Sequence, residues 1–219
     1  IKKCDISSVK GSVIVKDFSK EKFKMNLKSN KVNVIKILPG GVVTAKDTAE
    51  IELDANGEFV RNPEVDLVKV AVVERHQGTG NVACGFLKGY GIKEGAVALS
   101  VAHDSHNIIV VGVNDEEMEF AVNSLIEQEG GVVLVKEGKV IESMPMPIAG
   151  LMSDQSGEWV DQKLTDIHEK AYEELGICGD VEPVMTLCFM SLAVIPEIKL
   201  TDMGLFDVTT FSFIPVEVE

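Results

Sequence analysis

Cysteine is scarce and scattered in this chain: Cys4, Cys84, Cys178 and Cys188 stand far apart, with no C-x-x-C pair. That excludes a zinc ribbon and a disulfide scaffold, and it reads as separate reduced thiols of a cytoplasmic protein. Basic residues are in deficit, 21 Lys and Arg against 35 Asp and Glu, for a formal charge of −14. Such a surface repels phosphate backbones and anionic lipid, so neither nucleic acid nor a membrane surface is an expected partner. No apolar run approaches the roughly 18 residues that a membrane span needs, and no signal-peptide pattern opens the chain. The first residue is Ile1 rather than Met, which reads as a processed or truncated piece of a longer enzyme.

What is present is a core. With 45% hydrophobic residues in 219, the chain folds without staples, and the length suits one domain. Residues 1–30 are Lys-rich and weakly periodic, a lead-in segment or linker; residues 31–219 form the domain proper. Val32 to Ile37 and Val42 to Leu53 read as two strands around the Pro39-Gly40-Gly41 turn. Val65 to Val73 is almost continuously apolar and β-branched, as expected of a strand covered on both faces. Ala96 to Ala102 and Ile108 to Val111 are further strands, and Val132 to Val135 with Val140-Ile141 forms a hairpin around Glu137-Gly138.

Two helices stand out. From Asp115 to Gln128, Met118, Ala121, Val122, Leu125 and Ile126 make one buried stripe, with Asn114 as N-cap and Gly130-Gly131 as the stop. From about Gly157 to Leu175, Val160, Leu164, Ile167 and Ala171 share a face, capped by Ser156 and ended by Gly176. Val184 to Ile195 suits strand or helix, and Phe211, Phe213 and Ile214 suggest a closing strand. The fold class is therefore α+β: mixed, largely antiparallel sheets with a few packed helices in a single compact domain. Helices are too few for a (β/α)₈ TIM barrel.

Gly78-Thr79-Gly80-Asn81-Val82-Ala83 fits the dinucleotide pattern G-x-G-x-x-A. The pattern needs a helix N-terminus to hold the pyrophosphate, however, and Val82 to Leu87 continues as strand. A glycine-rich turn between strands is the better reading. The densest reactive set is His103-Asp104-Ser105-His106-Asn107, at a strand-to-strand turn just after Ser100. Three readings compete: a metal site through His103, Asp104 and His106, a substrate-contacting loop, or a structural turn whose Asp and Asn bond local amides. His76 with Arg75 and Gln77 sits at the end of the central strand, where a site could form, though a solvated strand end is the better reading. His168 is a helix boundary residue, Met144, Met146 and Met152 form adaptable surface or core filling, and Cys84 and Cys188 are inert.

The runs Gly85 to Ala96 and Ser100 to Ile108, then Pro147 to Ser153 and Ile195 to Asp207, resemble in the same order the C-terminal domain of prokaryotic adenine deaminases of the amidohydrolase superfamily. The resemblance covers residues 12–219. It implies a parent enzyme of purine salvage that converts adenine and water to hypoxanthine and ammonia. A divalent metal, manganese or iron, would act in an N-terminal barrel whose H-x-H ligand pair this chain lacks. No cofactor is then expected in this chain, no residue of it is assigned to catalysis, and it would be inactive alone. Its partners would be that barrel, adenine in the intact enzyme, and further copies in a homo-oligomer. Ser100, His103, Asp104, Ser105, His106 and Asn107 are the candidates for closing the barrel's pocket. The alternative is a structural or oligomerisation module with no substrate contact.

Overall fold

The computed structural model describes residues 5–218, so Cys4 lies outside the described residues. Its strands are β1 (Lys31–Ile37), β2 (Thr44–Glu50), β3 (Glu52–Leu53), β4 (Phe59–Val60), β5 (Leu67–Val73), β6 (Val82–Lys88), β7 (Ala96–Leu99), β8 (Ile108–Gly112), β9 (Gly131–Lys136), β10 (Lys139–Pro145), β11 (Ile198–Thr201), β12 (Gly204–Asp207) and β13 (Ser212–Phe213). The helices are α1 (Asp115–Glu127), α2 (Gly157–Glu173) and α3 (Pro183–Cys188). Eight strands form one open sheet in the order β10-β9-β7-β8-β5-β6-β1-β2. All its pairings are antiparallel except β1 with β6. The architecture is α+β, with no closed barrel among the described residues.

Strand alternation splits the sheet between two cores. Ala71, Val73, Ala96, Ala98, Ile108 and Val110 face α1 through Met118, Ala121, Val122 and Leu125. Small residues on that face let the helix approach closely: a Cβ on Gly112 would stand 2.7 Å from Met118 Cγ and 2.9 Å from Ala96 Cβ. The larger Val70, Val72, Val97, Leu99, Ile109 and Leu134 face the other way, onto Ile167 and Ala171 of α2, Leu175 just after it, and Leu187 of α3. Each such side chain taken fully out of water contributes roughly 1.5–3 kcal/mol. β5 is buried at every position, including Lys69. Its ammonium bonds the Asp115 carboxylate at 2.7 and 3.0 Å and the Phe23 carbonyl at 3.1 Å, so the charge is compensated.

Both helices begin as their caps specify. Asn114 Oδ1 accepts from Glu117 N–H at 2.8 Å and Ser156 Oγ from Trp159 N–H at 3.3 Å. Phe23 and Leu27 of the lead-in segment are buried, and Phe23 belongs to the core beside α1.

Several boundaries differ from the sequence reading. Val42 to Leu53 is not one strand: after Glu50 the backbone turns so that Ile51 N–H bonds Asn30 O, and β3 pairs with β4 instead. The Val65 strand starts at Leu67, and the Ala96 strand ends at Leu99, because Ser100 N–H already bonds Gly131 O. Val184 to Ile195 resolves as helix α3 followed by turns, Glu182 capping the helix through its carboxylate on Met185 N–H. The closing strand is only Ser212–Phe213, on a small sheet of order β11-β12-β13. Its inner face lies on β6 through Leu200 and Leu205, both near Gly85. Periodicity missed β11 and β12 because each is four residues long and only half apolar, unlike the equally short but wholly apolar β7.

Candidate functional site

One end of the main sheet gathers three of the four histidines. Residues 100–107 connect the antiparallel neighbours β7 and β8, while Glu74–Asn81 connects β5 and β6 at the same end. His76 Nε2–H donates to the Ser105 carbonyl at 2.7 Å, joining the two loops. The rings of His103 and His106 lie 5.4 Å apart, edge to face, and His103 also meets Phe189 at 4.8 Å. His103 N–H bonds Cys188 O at 2.8 Å and His106 N–H bonds Ala102 O at 2.6 Å, so the backbone of the turn is fixed at both ends.

Arg75 fastens this turn. It is 1% exposed, not the solvated strand end that the sequence suggested. Its Nε donates to the His106 carbonyl, Nη2 to Ala149 O at 3.1 Å and Nη1 to Ser12 O at 3.4 Å, while its backbone N–H reaches Asn107 Oδ1 at 3.3 Å. A guanidinium carries five donors in a planar fork, which is why one residue can hold three separate carbonyls. Three segments distant in sequence thereby converge on one buried cation. The only hint in the sequence was an Arg placed directly after the most apolar strand.

Glu74 organises the neighbouring loop. Burial pushes its carboxyl pKa up, but the N–H groups of Gln77, Thr79 and His76 and the Thr79 hydroxyl outweigh burial and hold it at about 2. The glycine-rich run Gly78-Thr79-Gly80 thus wraps a side-chain carboxylate of its own chain, and β6 rather than a helix follows it. The geometry agrees with the rejection of a dinucleotide fingerprint.

The six candidate residues divide in two. Ser100 is fully buried, its hydroxyl donating to Gly150 O and accepting from Gly131 N–H at 2.8 Å. Asn107 is buried too, and donates to Asp202 Oδ1 at 3.2 Å. These two spend their polar atoms inside the chain. Asp104 and Ser105 are exposed, and His103 and His106 are half-buried. His106 Nδ1 has no hydrogen-bond partner. Burial, then the neighbouring His103 and Arg75, lower the His106 pKa, so this ring is neutral at neutral pH.

Among the described residues no group of three or more His, Cys, Asp or Glu side chains is placed to hold a metal ion. The reading of His103, Asp104 and His106 as ligands finds no geometric support, since the His103 ring packs on Phe189 and on the edge of His106, whose Nδ1 is buried. His168 sits half-buried on α2 facing Glu182. Met144 is buried, whereas Met152 is exposed. Burial pushes the Cys84 and Cys188 thiols to about 12, which makes them unreactive. Two clefts, of about 260 and 510 Å³, lie away from the histidine turn, one beside Pro39–Val42 and Met185, the other beside Lys20, Arg61 and Asn114. No helix among the described residues is long and apolar enough to cross a membrane.

The family described as the adenine deaminase C-terminal domain matches residues 41–212, most of the chain. The chain belongs to that family. It is 67% identical over 217 residues to "Adenine deaminase 2" of Desulfotalea psychrophila, covering 99% of this chain and 38% of that protein. It is 49% identical over 214 residues to "Adenine deaminase" of Ligilactobacillus salivarius, covering 98% and 37%. "Adenine deaminase 2" of Carboxydothermus hydrogenoformans is 45% identical over 212 residues, covering 97% and 37%. The chain therefore spans well under half the length of these curated relatives. The matched residues 41–212 include both loops of the histidine end and the turn that carries Asp202.

Proposed function

We propose that this chain is the C-terminal part of an adenine deaminase, which converts adenine and water to hypoxanthine and ammonia in cytoplasmic purine salvage. Its histidine turn closes the pocket of the preceding barrel. The observation that carries this is the convergence of His76, His103 and His106 on one sheet end, where a buried Arg75 holds the His106 carbonyl and ties the turn to Ala149 and Ser12. Rigid placement of polar side chains on a turn is how a scaffold presents groups to a ligand. His106, with a lowered pKa and its Nδ1 buried, keeps Nε2 to donate or accept, according to tautomer, toward one polar atom of a purine. Closure over the base would exclude water and strengthen each polar contact within.

The divalent metal, manganese or iron, that activates water in such chemistry would belong to the part of the enzyme outside this chain. The 219 residues alone are then without activity. The test is His103→Ala and His106→Ala in the full-length enzyme, with kcat/KM for adenine and bound metal measured on the same samples. A fall of tenfold or more with metal content unchanged supports pocket closure. Unchanged kinetics would leave the chain as a structural or assembly module. Turnover by the isolated chain after incubation with manganese would overturn the division of labour altogether.

A further inference from the structure

The three-stranded sheet beside the histidine turn has one covered face and one open face. Ile198, Leu200 and Leu205 point inward to the core. On the outer face Lys199, Phe206 and Phe213 form a cross-strand row, since register pairs Lys199 with Phe206 and Phe206 with Phe213. The Lys199 end is covered, its ammonium buried and donating to Val42 O at 3.0 Å. The other end is open. Phe213 is 51% exposed and Phe211 is 73% exposed, both packed edge to face on Phe206, and Met203 at the tip of the β11–β12 turn is 72% exposed.

Two of nine phenylalanines thus stand exposed together on a buried third, Phe206, in a chain that is only 5% aromatic. Phe211 moreover has φ of +53°, a left-handed conformation that bulky residues rarely adopt. The Asp207 carboxylate holds that turn by accepting from Thr209 N–H at 2.9 Å, the Thr209 hydroxyl at 2.6 Å and Thr210 N–H at 3.2 Å. Backbone strain used to hold an aromatic ring outward is a feature of surfaces that meet something.

We infer that Met203, Phe211 and Phe213 form the surface on which the preceding part of the same polypeptide docks. Two observations select this occupant over a second copy. The curated relatives carry more than three fifths of their length outside the matched region, and the family is by description a C-terminal domain, so a large body precedes it. The patch is also tied to the histidine turn: Asp202, next to Met203, accepts from Asn107 at 3.2 Å and Asn81 at 3.5 Å. A body that receives the histidine turn would cover the patch beside it. The inference rests on the reading of this chain as part of a longer deaminase.

The experiment places p-benzoylphenylalanine at position 213, and separately at 211, in the full-length polypeptide, irradiates it, and maps crosslinked peptides by mass spectrometry. Position 140 serves as control, because Val140 is exposed at the opposite end of the main sheet. The expected result is an intramolecular crosslink from 213 or 211 to residues preceding this chain, and none from 140. Crosslinks that double the mass would assign the patch to a second copy and overturn the inference. Crosslinks confined to residues 1–219, or none with the melting temperature unchanged, would overturn it as well. The kinetic test of His103 and His106 is independent. Crosslinks with unchanged kinetics would keep the docking surface and remove pocket closure, and the converse pair of results would do the reverse.

Discussion

Asn107 and Asp202, 95 positions apart in sequence, are joined by one hydrogen bond of 3.2 Å that ties the turn between β7 and β8 to the turn between β11 and β12. The same Asn107 accepts the Arg75 backbone N–H. A buried amide thus links the β5–β6 loop that carries Arg75, the histidine turn and the small aromatic sheet.

Asn107→Ala removes both bonds and leaves the Arg75 N–H without its acceptor. The expected cost is roughly 1–3 kcal/mol, a drop in melting temperature of roughly 2–4 °C per kcal/mol for a chain of this size. Thermal denaturation followed by circular dichroism measures it. A melting temperature within about 1 °C of the parent would show that the bridge carries no stability.

Arg75→Met fills the space but leaves the carbonyls of Ser12, His106 and Ala149 without donors. The loss is on the order of 3 kcal/mol, and it is local in character. Amide hydrogen exchange is expected to quicken at residues 103–107 and 148–150 while α2 keeps its protection. Arg75→Lys recovers only part, since one ammonium lacks the planar fork that spans three acceptors. Uniform loss of protection would show that Arg75 supports the whole fold rather than this end.

Glu74 gives the chain an acid limb. Its folded pKa of about 2 lies below the ordinary carboxyl value, so its stabilisation is full above about pH 4.5 and is lost as pH falls toward 2. Glu74→Gln should therefore lower stability at pH 7 and flatten the dependence between pH 4.5 and 2. Parallel curves for parent and variant in urea titrations across that range would contradict the assignment.

Gly95 is irreplaceable for a geometric reason. Its φ is +68°, and a Cβ there would stand 1.9 Å from the Val135 carbonyl oxygen on β9. Gly95→Ala is expected to cost more than about 4 kcal/mol and to reduce soluble yield sharply. A soluble variant with the parent's melting temperature would mean that β7 and β9 part more easily than their register implies.

Patterns within a few residues were sufficient for the central strands and for α1 and α2, because burial on a sheet face or helix stripe repeats with a short period. Leu67–Val73, Ile108–Gly112 and Asp115–Glu127 are such cases. The caps Asn114 and Ser156 were legible for the same reason, as each bonds an amide three residues on. The His103 to Asn107 turn was legible as a polar cluster between apolar runs. Its internal division was not, since whether Ser100 and Asn107 face solvent depends on Gly150 and Asp202, which lie 50 and 95 residues away.

The sequence by itself determined the α+β class, the acidic surface and the family, through residue types and blocks that keep their order along the chain. Tertiary structure alone decided that Arg75 is buried, that three histidines meet, and that Met203, Phe211 and Phe213 stand open beside them. The physical reason is the range of the interactions. Periodicity and capping are local, whereas a guanidinium finding three carbonyls, or an aromatic row left without a cover, depends on which distant segments the folded sheet brings to one end.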